Sequence, residues 1–161
     1  YSYGSEGFDL NFSPFFDVLF STNHGLITWT PLIFFCLLGL FYFIKDNKKY
    51  GTFFLLFFLI QYIINSTWHT YGFGSSYSIR TFMNCTFIFS IGLSALLYQF
   101  QKFFKISICI LSFFILWNFL LIIQYTLGII PSTGPYELSS IIVNQFYLLR
   151  NVMEYLFQNI F

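Results

Sequence analysis

The sequence predicts an all-α integral membrane protein, a bundle of four transmembrane helices followed by an amphipathic C-terminal helix. Three observations carry this prediction. Hydrophobic residues make up 57% of the 161 residues and charged residues only 8%, whereas soluble domains carry about 25% charged residues. Four apolar runs approach the roughly 20 residues that a helix needs to cross a bilayer. The last part of the chain mixes apolar and polar residues at helical spacing.

The four apolar runs, taken in chain order, define the predicted transmembrane helices. The first extends from Leu26 to Ile44 and the second from Gly51 to Trp68. The third extends from Phe82 to Phe100, and the fourth from Ile106 to Ile123. The first and fourth contain no charged residue at all. Each run is therefore expected to cross the membrane once.

The third apolar run also carries small residues at helical spacing. Ser90 and Ser94 are four residues apart, and Gly92 and Ala95 lie beside them. Small side chains let the backbones of two membrane helices approach closely. We therefore expect this helix to pack tightly against a neighbour.

The lysines indicate how the helices are oriented. All five lie in two short connectors, "KDNKK" at 45–49 and "QKFFK" at 101–105. Alternating helices put both connectors on one side, and the excess of positive charge in short loops marks the cytoplasmic side. The N-terminal stretch, the 66–80 connector and the residues after Tyr125 then face outward. The lysine connectors are therefore predicted to be cytoplasmic.

The C-terminal stretch after "LGIIPSTGPYELSS" is predicted to be an amphipathic helix. Its polar residues Asn144, Asn151 and Gln158 recur every seven residues between apolar ones. Two placements stay open for this helix. It lies along the outer membrane interface, or it packs on protein outside this chain.

The domain organisation follows from these elements. Residues 1–161 form a single membrane domain, with an outer segment at 1–24, four helices within 25–125 and an outer tail with the interfacial helix at 126–161. The chain starts with Tyr and shows no signal-peptide pattern. We expect it to be the C-terminal part of a longer polytopic protein, so that the rest of that protein is a partner.

The cysteines and the net charge give no indication of a metal, a cofactor or nucleic acid. Cys36, Cys85 and Cys109 lie in apolar runs without ligand spacing, and we expect buried, inert thiols. The formal net charge is only +1. Membrane lipid is the partner that the composition itself implies.

The connector "NSTWHTYGFGSSYSIRTF" gathers polar and aromatic residues between two predicted helices. Trp68 and Tyr77 fit either an interfacial aromatic belt or a binding surface. Gly72 and Gly74 allow tight turns and close approach of a ligand to the backbone. Arg80 stands at the mouth of the third helix, where it either snorkels to the interface or clamps a lipid-linked phosphate.

The two histidines provide no metal site by themselves. His24 precedes the first helix in "STNHGLITWTP", and His69 lies in the 66–80 connector, so both are predicted on the outer face. A zinc site needs further ligands. No metal is therefore expected.

Three stretches together resemble a known family. They are "DVLFSTNHGLITWTPLIFFCLLGL", the connector "NSTWHTYGFGSSYSIRTF", and "WNFLLIIQYTLGIIPSTGP". In order and spacing they resemble a late helix entry, the outer loop after it, and the last crossing of bacterial relatives of the dolichyl-phosphate-mannose protein mannosyltransferases. The resemblance covers most of the chain and implies a location in a bacterial inner (plasma) membrane.

The resemblance implies a glycosyltransferase of the C superfamily that uses a polyprenyl-phosphate sugar donor on the extracytoplasmic side. The family's catalytic acid lies in the first outer loop, and no residue here matches it, so no catalytic residue is assigned and this fragment alone is expected to transfer no sugar. The positions that match are cavity-wall or donor-phosphate candidates: His24, Trp68, Gly72, Gly74, Tyr77 and Arg80. His69, Tyr71 and Phe73 replace further Trp and Gly of the family pattern.

A different class of function fits the same composition. The chain can be a non-catalytic membrane module, either half of a transporter or a structural subunit. Transporters place polar residues or broken helices near the centre of the membrane. Gln61, Asn84 and Asn118 are the candidates for such a role.

Overall fold

The computed structural model describes residues 15–68, 77–130 and 136–160, and the secondary-structure elements within these ranges are helices. The α-helices are α1 (Phe15–Phe20), α2 (Leu26–Trp29), α3 (Leu32–Asp46), α4 (Lys48–Thr67), α5 (Thr86–Gln99), α6 (Phe104–Thr126) and α7 (Leu138–Ile160). Two short 3-10 helices, Arg80–Cys85 and Gln101–Phe103, lead directly into α5 and α6. The predicted all-α class is confirmed.

Among the described residues, three helical segments are long and apolar enough to cross a membrane. They are Lys48–Thr67, Arg80–Gln99 and Gln101–Thr126, where each 3-10 helix is counted with the α-helix that it begins. These segments correspond to the second, third and fourth predicted runs. The segment that matches the second predicted run begins at Lys48 rather than at Gly51, since Asn47 alone separates it from α3.

The first predicted run does not form one continuous helix. It is divided at Thr30 and Pro31 into the four residues of α2 and the 15 residues of α3. Proline disfavours a helical conformation in the residue before it and has no N–H to donate. Thr30 accordingly has φ −135° and ψ 74°. The two parts are each shorter than the roughly 20 residues of a spanning helix.

Helices α3 and α5 touch backbone to backbone at two glycines. A Cβ atom added to Gly39 would collide with the carbonyl oxygen of Gly92, and one added to Gly92 would collide with that of Cys36. Only glycine leaves room for so close an approach. The predicted tight packing of the third run is confirmed, with Gly92 as the residue that makes the contact.

The two lysine-rich connectors lie at the same end of the bundle, as the alternation of helices predicted. The ring centroids of Tyr42 on α3 and Phe100 after α5 are 6.1 Å apart. One surface cleft is lined by Asn47 from the first connector and by Tyr98 from the end of α5. The second connector therefore follows α5 beside the first one.

The cysteines are free thiols, but not all of them are buried. Cys36 and Cys85 are buried between helices, whereas Cys109 is exposed on the surface of α6. The prediction of a buried thiol at 109 is therefore wrong. An apolar run does not distinguish a core face from an outward face when lipid is the surrounding solvent.

Helix α7 begins at Leu138 and packs on α6 through two residues one turn apart. Ile141 is buried, and the amide nitrogen of Gln145 donates a hydrogen bond to the carbonyl oxygen of Trp117 at 3.2 Å. Packing on this chain, through α6, was not among the two predicted placements for α7. Of the predicted polar series, Asn144 donates to the hydroxyl of Tyr136 at 3.3 Å.

Candidate functional site

An aromatic cluster fills the space where α2, α6 and the segment before Arg80 meet. Trp29 is its centre, with only 2% of its surface exposed. The ring of Tyr77 lies 5.2 Å from that of Trp29, and the ring of Tyr125 lies 6.3 Å from it, both edge to face. Edge-to-face contacts of this kind stabilise a cluster by about 1 kcal/mol each beyond the area that they bury.

A polar network passes through the same cluster at the helix break. Asn118 on α6 donates from its amide to the carbonyl oxygen of Trp29 and to the hydroxyl of Thr30, each at 3.2 Å. Its own amide oxygen accepts a hydrogen bond from the hydroxyl of Tyr77 at 3.1 Å. One side chain therefore joins α6, the α2–α3 break and the segment before α5.

The local backbone explains why Asn118 finds an acceptor there. The N–H of Ile33 donates to the carbonyl oxygen of Thr30 rather than to that of Trp29, because the chain leaves the helical path before Pro31. The carbonyl of Trp29 is thereby released from helical pairing. A buried carbonyl needs a donor, and the Asn118 amide supplies it.

Two residues with left-handed backbones flank the cluster. His24 has φ 69° and Ser78 has φ 53°, values that residues other than glycine rarely adopt. His24 is buried, and its ring lies 5.4 Å from that of Trp29. The indole nitrogen of Trp29 in turn donates to the carbonyl oxygen of Thr22 at 3.1 Å. Such backbone strain persists only where the surrounding contacts outweigh it.

Burial also changes the acid–base chemistry of Tyr77. Removal from water disfavours the charged phenolate, so burial raises the pKa of the Tyr77 hydroxyl above its ordinary value of about 10. Tyr77 therefore keeps its proton and remains a hydrogen-bond donor to Asn118 throughout the physiological pH range.

Gln124 stands out among the buried polar residues. It is 0% exposed, and among the described residues neither the nitrogen nor the oxygen of its side-chain amide has a hydrogen-bond partner. Leaving a buried amide unpaired costs about 1–3 kcal/mol per group. Gln124 lies on α6 beside Tyr125, so this unmet hydrogen-bonding capacity is located next to the aromatic cluster.

A groove runs between α3 and α5 on the other side of the Thr30 break. Its volume is about 340 Å³. Its lining comprises Leu26, Thr30, Leu32, Ile33, Cys36, Ser78, Ile79, Phe82, Met83, Thr86, Phe89, Ser90 and Leu93. We call it the α3–α5 groove. The hydroxyl of Thr86 donates to the carbonyl of Met83 in the preceding 3-10 helix, and that of Ser90 donates to the carbonyl of Thr86, so the groove is apolar along α5.

Arg80 lies immediately after two residues that line the α3–α5 groove, Ser78 and Ile79. It is the first residue of the 3-10 helix that leads into α5, and its side chain is exposed. Within the described part of the chain it forms no ion pair or hydrogen bond. An exposed arginine therefore lies in sequence between residues that line an apolar groove.

The predicted site residues are distributed over these features. His24 and Tyr77 both contact Trp29, and Arg80 stands beside the groove. Trp68 follows the end of α4 and is half-buried. Gly72 and Gly74, with His69, Tyr71 and Phe73, lie outside the described residues. No group of three or more His, Cys, Asp or Glu converges within the described ranges.

Sequence reasoning did not identify Trp29 and Thr30 as site residues, and it assigned Asn118 only to the alternative function. The available signals were the "TWTP" sequence, in which a proline inside an apolar run predicts a break, and a single asparagine in an otherwise apolar helix. No residue pattern indicated that these two features would meet.

Comparisons with protein-family models, with curated proteins and with solved structures found no match to this chain. The resemblance to the mannosyltransferase relatives therefore stays a prediction, and the conclusions that the molecule itself supports are an all-α fold and three helices suited to crossing a membrane.

Proposed function

We propose that the chain crosses the membrane four times, with α2 and α3 together forming the first crossing. Residues 26–46 total 21 residues, which is enough to span the hydrocarbon core despite the break at Pro31. The shared end of the two lysine connectors supports a cytoplasmic location for that end. The amphipathic α7 then lies at the outer face of a bacterial inner membrane, packed in part on α6.

We further propose that the chain is part of a glycosyltransferase and binds a polyprenyl-phosphate sugar donor on the extracytoplasmic side. The observation that supports this proposal is that the exposed Arg80 directly follows Ile79, a residue that lines the α3–α5 groove. The groove accepts the apolar polyprenyl chain, and Arg80 binds the phosphate at its end. The catalytic acid is expected from another part of the parent protein.

The physical chemistry of the two groups favours this pairing. An arginine fork matches phosphate oxygens bidentately, and such charge-assisted hydrogen bonds are about twice as strong as neutral ones. The membrane interface is less polar than water, which strengthens the attraction further. Ser78, a lining residue with a hydroxyl group, precedes Arg80 by two positions in the chain.

A non-catalytic transport module is the alternative, and the α2–α3 break is the observation that favours it. Broken helices with exposed carbonyls mark substrate sites in many transporters. However, α3 has 15 residues between the break and the lysine end, a length of about 22 Å. In a hydrocarbon core of about 30 Å the break therefore lies on the outer side of the midplane, where transporter sites are located, and we favour the donor site.

Binding of a fluorescent polyprenyl phosphate to the full chain in micelles tests the donor site. Arg80→Ala is expected to weaken binding at least tenfold, since it removes charge and fork together. Arg80→Lys keeps the charge but loses bidentate geometry, so we expect an intermediate loss. Lys49→Ala, an exposed cation at the opposite end of the bundle, is the matched control and should bind normally.

Donor-dependent sugar transfer by the parent protein supplies the functional readout. Arg80→Ala should lower turnover severely at normal membrane abundance, and Arg80→Lys should lower it in part. Normal binding and turnover with Arg80→Ala would mean that Arg80 only anchors the chain at the membrane interface, and would overturn the proposed donor site. Binding without any transfer by the parent protein would favour the non-catalytic module.

The topology is tested by introducing one accessible cysteine at a time into a Cys109→Ser variant. Asn47→Cys should react with an impermeant thiol reagent only from the cytoplasmic side, and Ser139→Cys only from the outer side. Both original residues are exposed. Labelling of position 47 from outside would invert the proposed orientation.

A further inference from the structure

A second cavity lies at the lysine end of the bundle, between α3, α5 and α6. Its volume is about 420 Å³, within the usual range of ligand pockets. Its lining comprises Phe35, Leu38, Tyr42, Leu96, Leu97, Phe100, Phe103, Ile106, Ser107, Ile110 and Leu111. We call it the lysine-end cavity. Apart from one hydroxyl each from Tyr42 and Ser107, its lining side chains are apolar.

Three lysines lie next to residues that line the lysine-end cavity, one in space and two in sequence. The ammonium nitrogen of Lys45 lies 5.3 Å from the ring centroid of Tyr42, a lining residue. Lys102 lies between the lining residues Phe100 and Phe103 in the connector, and Lys105 immediately precedes Ile106. All three lysine side chains are exposed. The cavity is therefore apolar inside and cationic at its edge.

The positive charge at this edge is not compensated within the described ranges. The two connectors hold five lysines and one carboxylate, Asp46. No ion pair joins any of these lysines to a carboxylate in the described part of the chain. Clusters of unpaired cations attract anions, and basic pockets between membrane helices favour anionic lipid headgroups.

We propose that the lysine-end cavity binds one anionic phospholipid. An acyl chain occupies the apolar interior between α3, α5 and α6, and the phosphate lies among Lys45, Lys102 and Lys105. A free inorganic anion would leave the apolar interior unfilled, and an uncharged lipid would leave the cations unpaired. Only a ligand with both parts satisfies both features of the site.

This site is separate from the proposed donor site. The lysine-end cavity takes its lining from the C-terminal end of α5, whereas Arg80 precedes the N-terminal end. The 14 residues of α5 span about 21 Å. The two sites use different cations, so loss of one leaves the other intact, and their failures are distinguishable.

Native mass spectrometry of the full chain, titrated with phosphatidylglycerol or phosphatidylcholine, tests the proposal. The double variant Lys102→Gln with Lys105→Gln is expected to bind phosphatidylglycerol roughly 30-fold more weakly, about fivefold for each lysine. The matched control is Lys48→Gln with Lys49→Gln, which removes two exposed lysines from α4, a helix that does not line the cavity. It should lower the affinity less than threefold.

A cavity-filling variant tests the apolar half of the site while all lysines are kept. Ser107→Phe, on the cavity wall, should abolish retention of the tightly bound phosphatidylglycerol, with an unchanged helical circular dichroism spectrum as the check on folding. Undiminished binding to Ser107→Phe would overturn the proposal. So would an equal loss in the two lysine double variants, or equal affinity of the wild-type chain for phosphatidylcholine.

Discussion

Helices α5 and α6 are both apolar enough to span a membrane, yet they relate to the rest of the molecule in opposite ways. In an apolar 18-residue stretch of the segment containing α6 the mean hydropathy is 2.6 and 11% of the stretch is buried, whereas the corresponding stretch of the segment containing α5 has a mean hydropathy of 1.5 and is 22% buried. The more apolar helix is the less buried one. Its hydrophobicity therefore matches the surrounding lipid and does not measure its share of the protein core.

The difference shows which interactions hold helices together when the solvent is itself apolar. Burying leucine against leucine gains little inside a bilayer, so association depends on close packing and on polar contacts. The contact between α5 and α3 is made by the backbones at Gly39 and Gly92. Helix α6 instead relies on Asn118 and on the aromatic cluster around Trp29.

The largest effect is expected from breaking the glycine contact with Gly92→Leu. The added side chain would collide with the carbonyl oxygen of Cys36, a backbone atom that cannot rotate away. We expect a loss of at least about 3 kcal/mol in the free energy of unfolding, measured by detergent-induced unfolding in mixed micelles. Ser112→Leu, at an exposed position of α6, should leave it unchanged. Equal stability of the two variants would contradict the backbone contact.

Removing the polar contact of α6 with Asn118→Leu is expected to have the next largest effect. Three hydrogen bonds disappear, and membrane hydrogen bonds average about 0.6 kcal/mol each, which predicts a loss of about 2 kcal/mol. The same unfolding assay measures it. Asn84→Leu, at an exposed position, is the control. If both substitutions have the same small effect, α6 is held by apolar contacts alone.

The pH dependence of stability tests how Tyr77 contributes to its contact with Asn118 on α6. Burial raises its pKa in the folded state above the unfolded value of about 10. The contribution of protonated Tyr77 to the free energy of unfolding is therefore fully present below pH 10 and is lost as the pH rises above it. We expect Tyr77→Phe to be less stable than the wild type at neutral pH and to lose less stability in alkali. Parallel pH profiles of the two proteins would show that Tyr77 does not titrate with unfolding.

The smallest effect is expected at the turn that follows α6. Gly128 has φ 71°, and a Cβ atom added there would meet nothing within 4 Å. Gly128→Ala should cost only the backbone penalty of a left-handed residue, about 1 kcal/mol. Gly128→Asn should restore part of it, because asparagine tolerates that conformation. A larger loss with alanine would mean that the turn packs against something.

Several features of this protein were predictable from the sequence because they depend on composition and local chemistry. The low charge content indicated a membrane protein, and three of the four predicted runs coincide with segments suited to crossing. The lysine connectors were expected at one end, and Tyr42 and Phe100 bring them together there. Pro31 explains why the first run is divided into α2 and α3. The uninterrupted apolar length of that run had predicted a single helix.

The site was less predictable, because its residues come from distant parts of the chain. Asn118 and Trp29 are 89 residues apart in sequence, and no local pattern relates one to the other. His24 and Tyr77 were predicted site residues, but that both would contact Trp29 depends on how α2 and α6 are rotated. The exposure of Cys109 depends on the rotation of α6 in the same way.

The sequence by itself therefore determined that the helices suit a membrane, roughly where they lie, and that the two lysine connectors share one end. These features depend on length, hydropathy and charge, which are properties of individual residues and short runs. Only the tertiary structure decided which faces meet. It paired Gly92 with Gly39, directed Asn118 to the carbonyl released at the helix break, and left Arg80 exposed beside a groove. These outcomes depend on helix rotation and on contacts of atomic size, which hydropathy does not encode when both core and lipid are apolar.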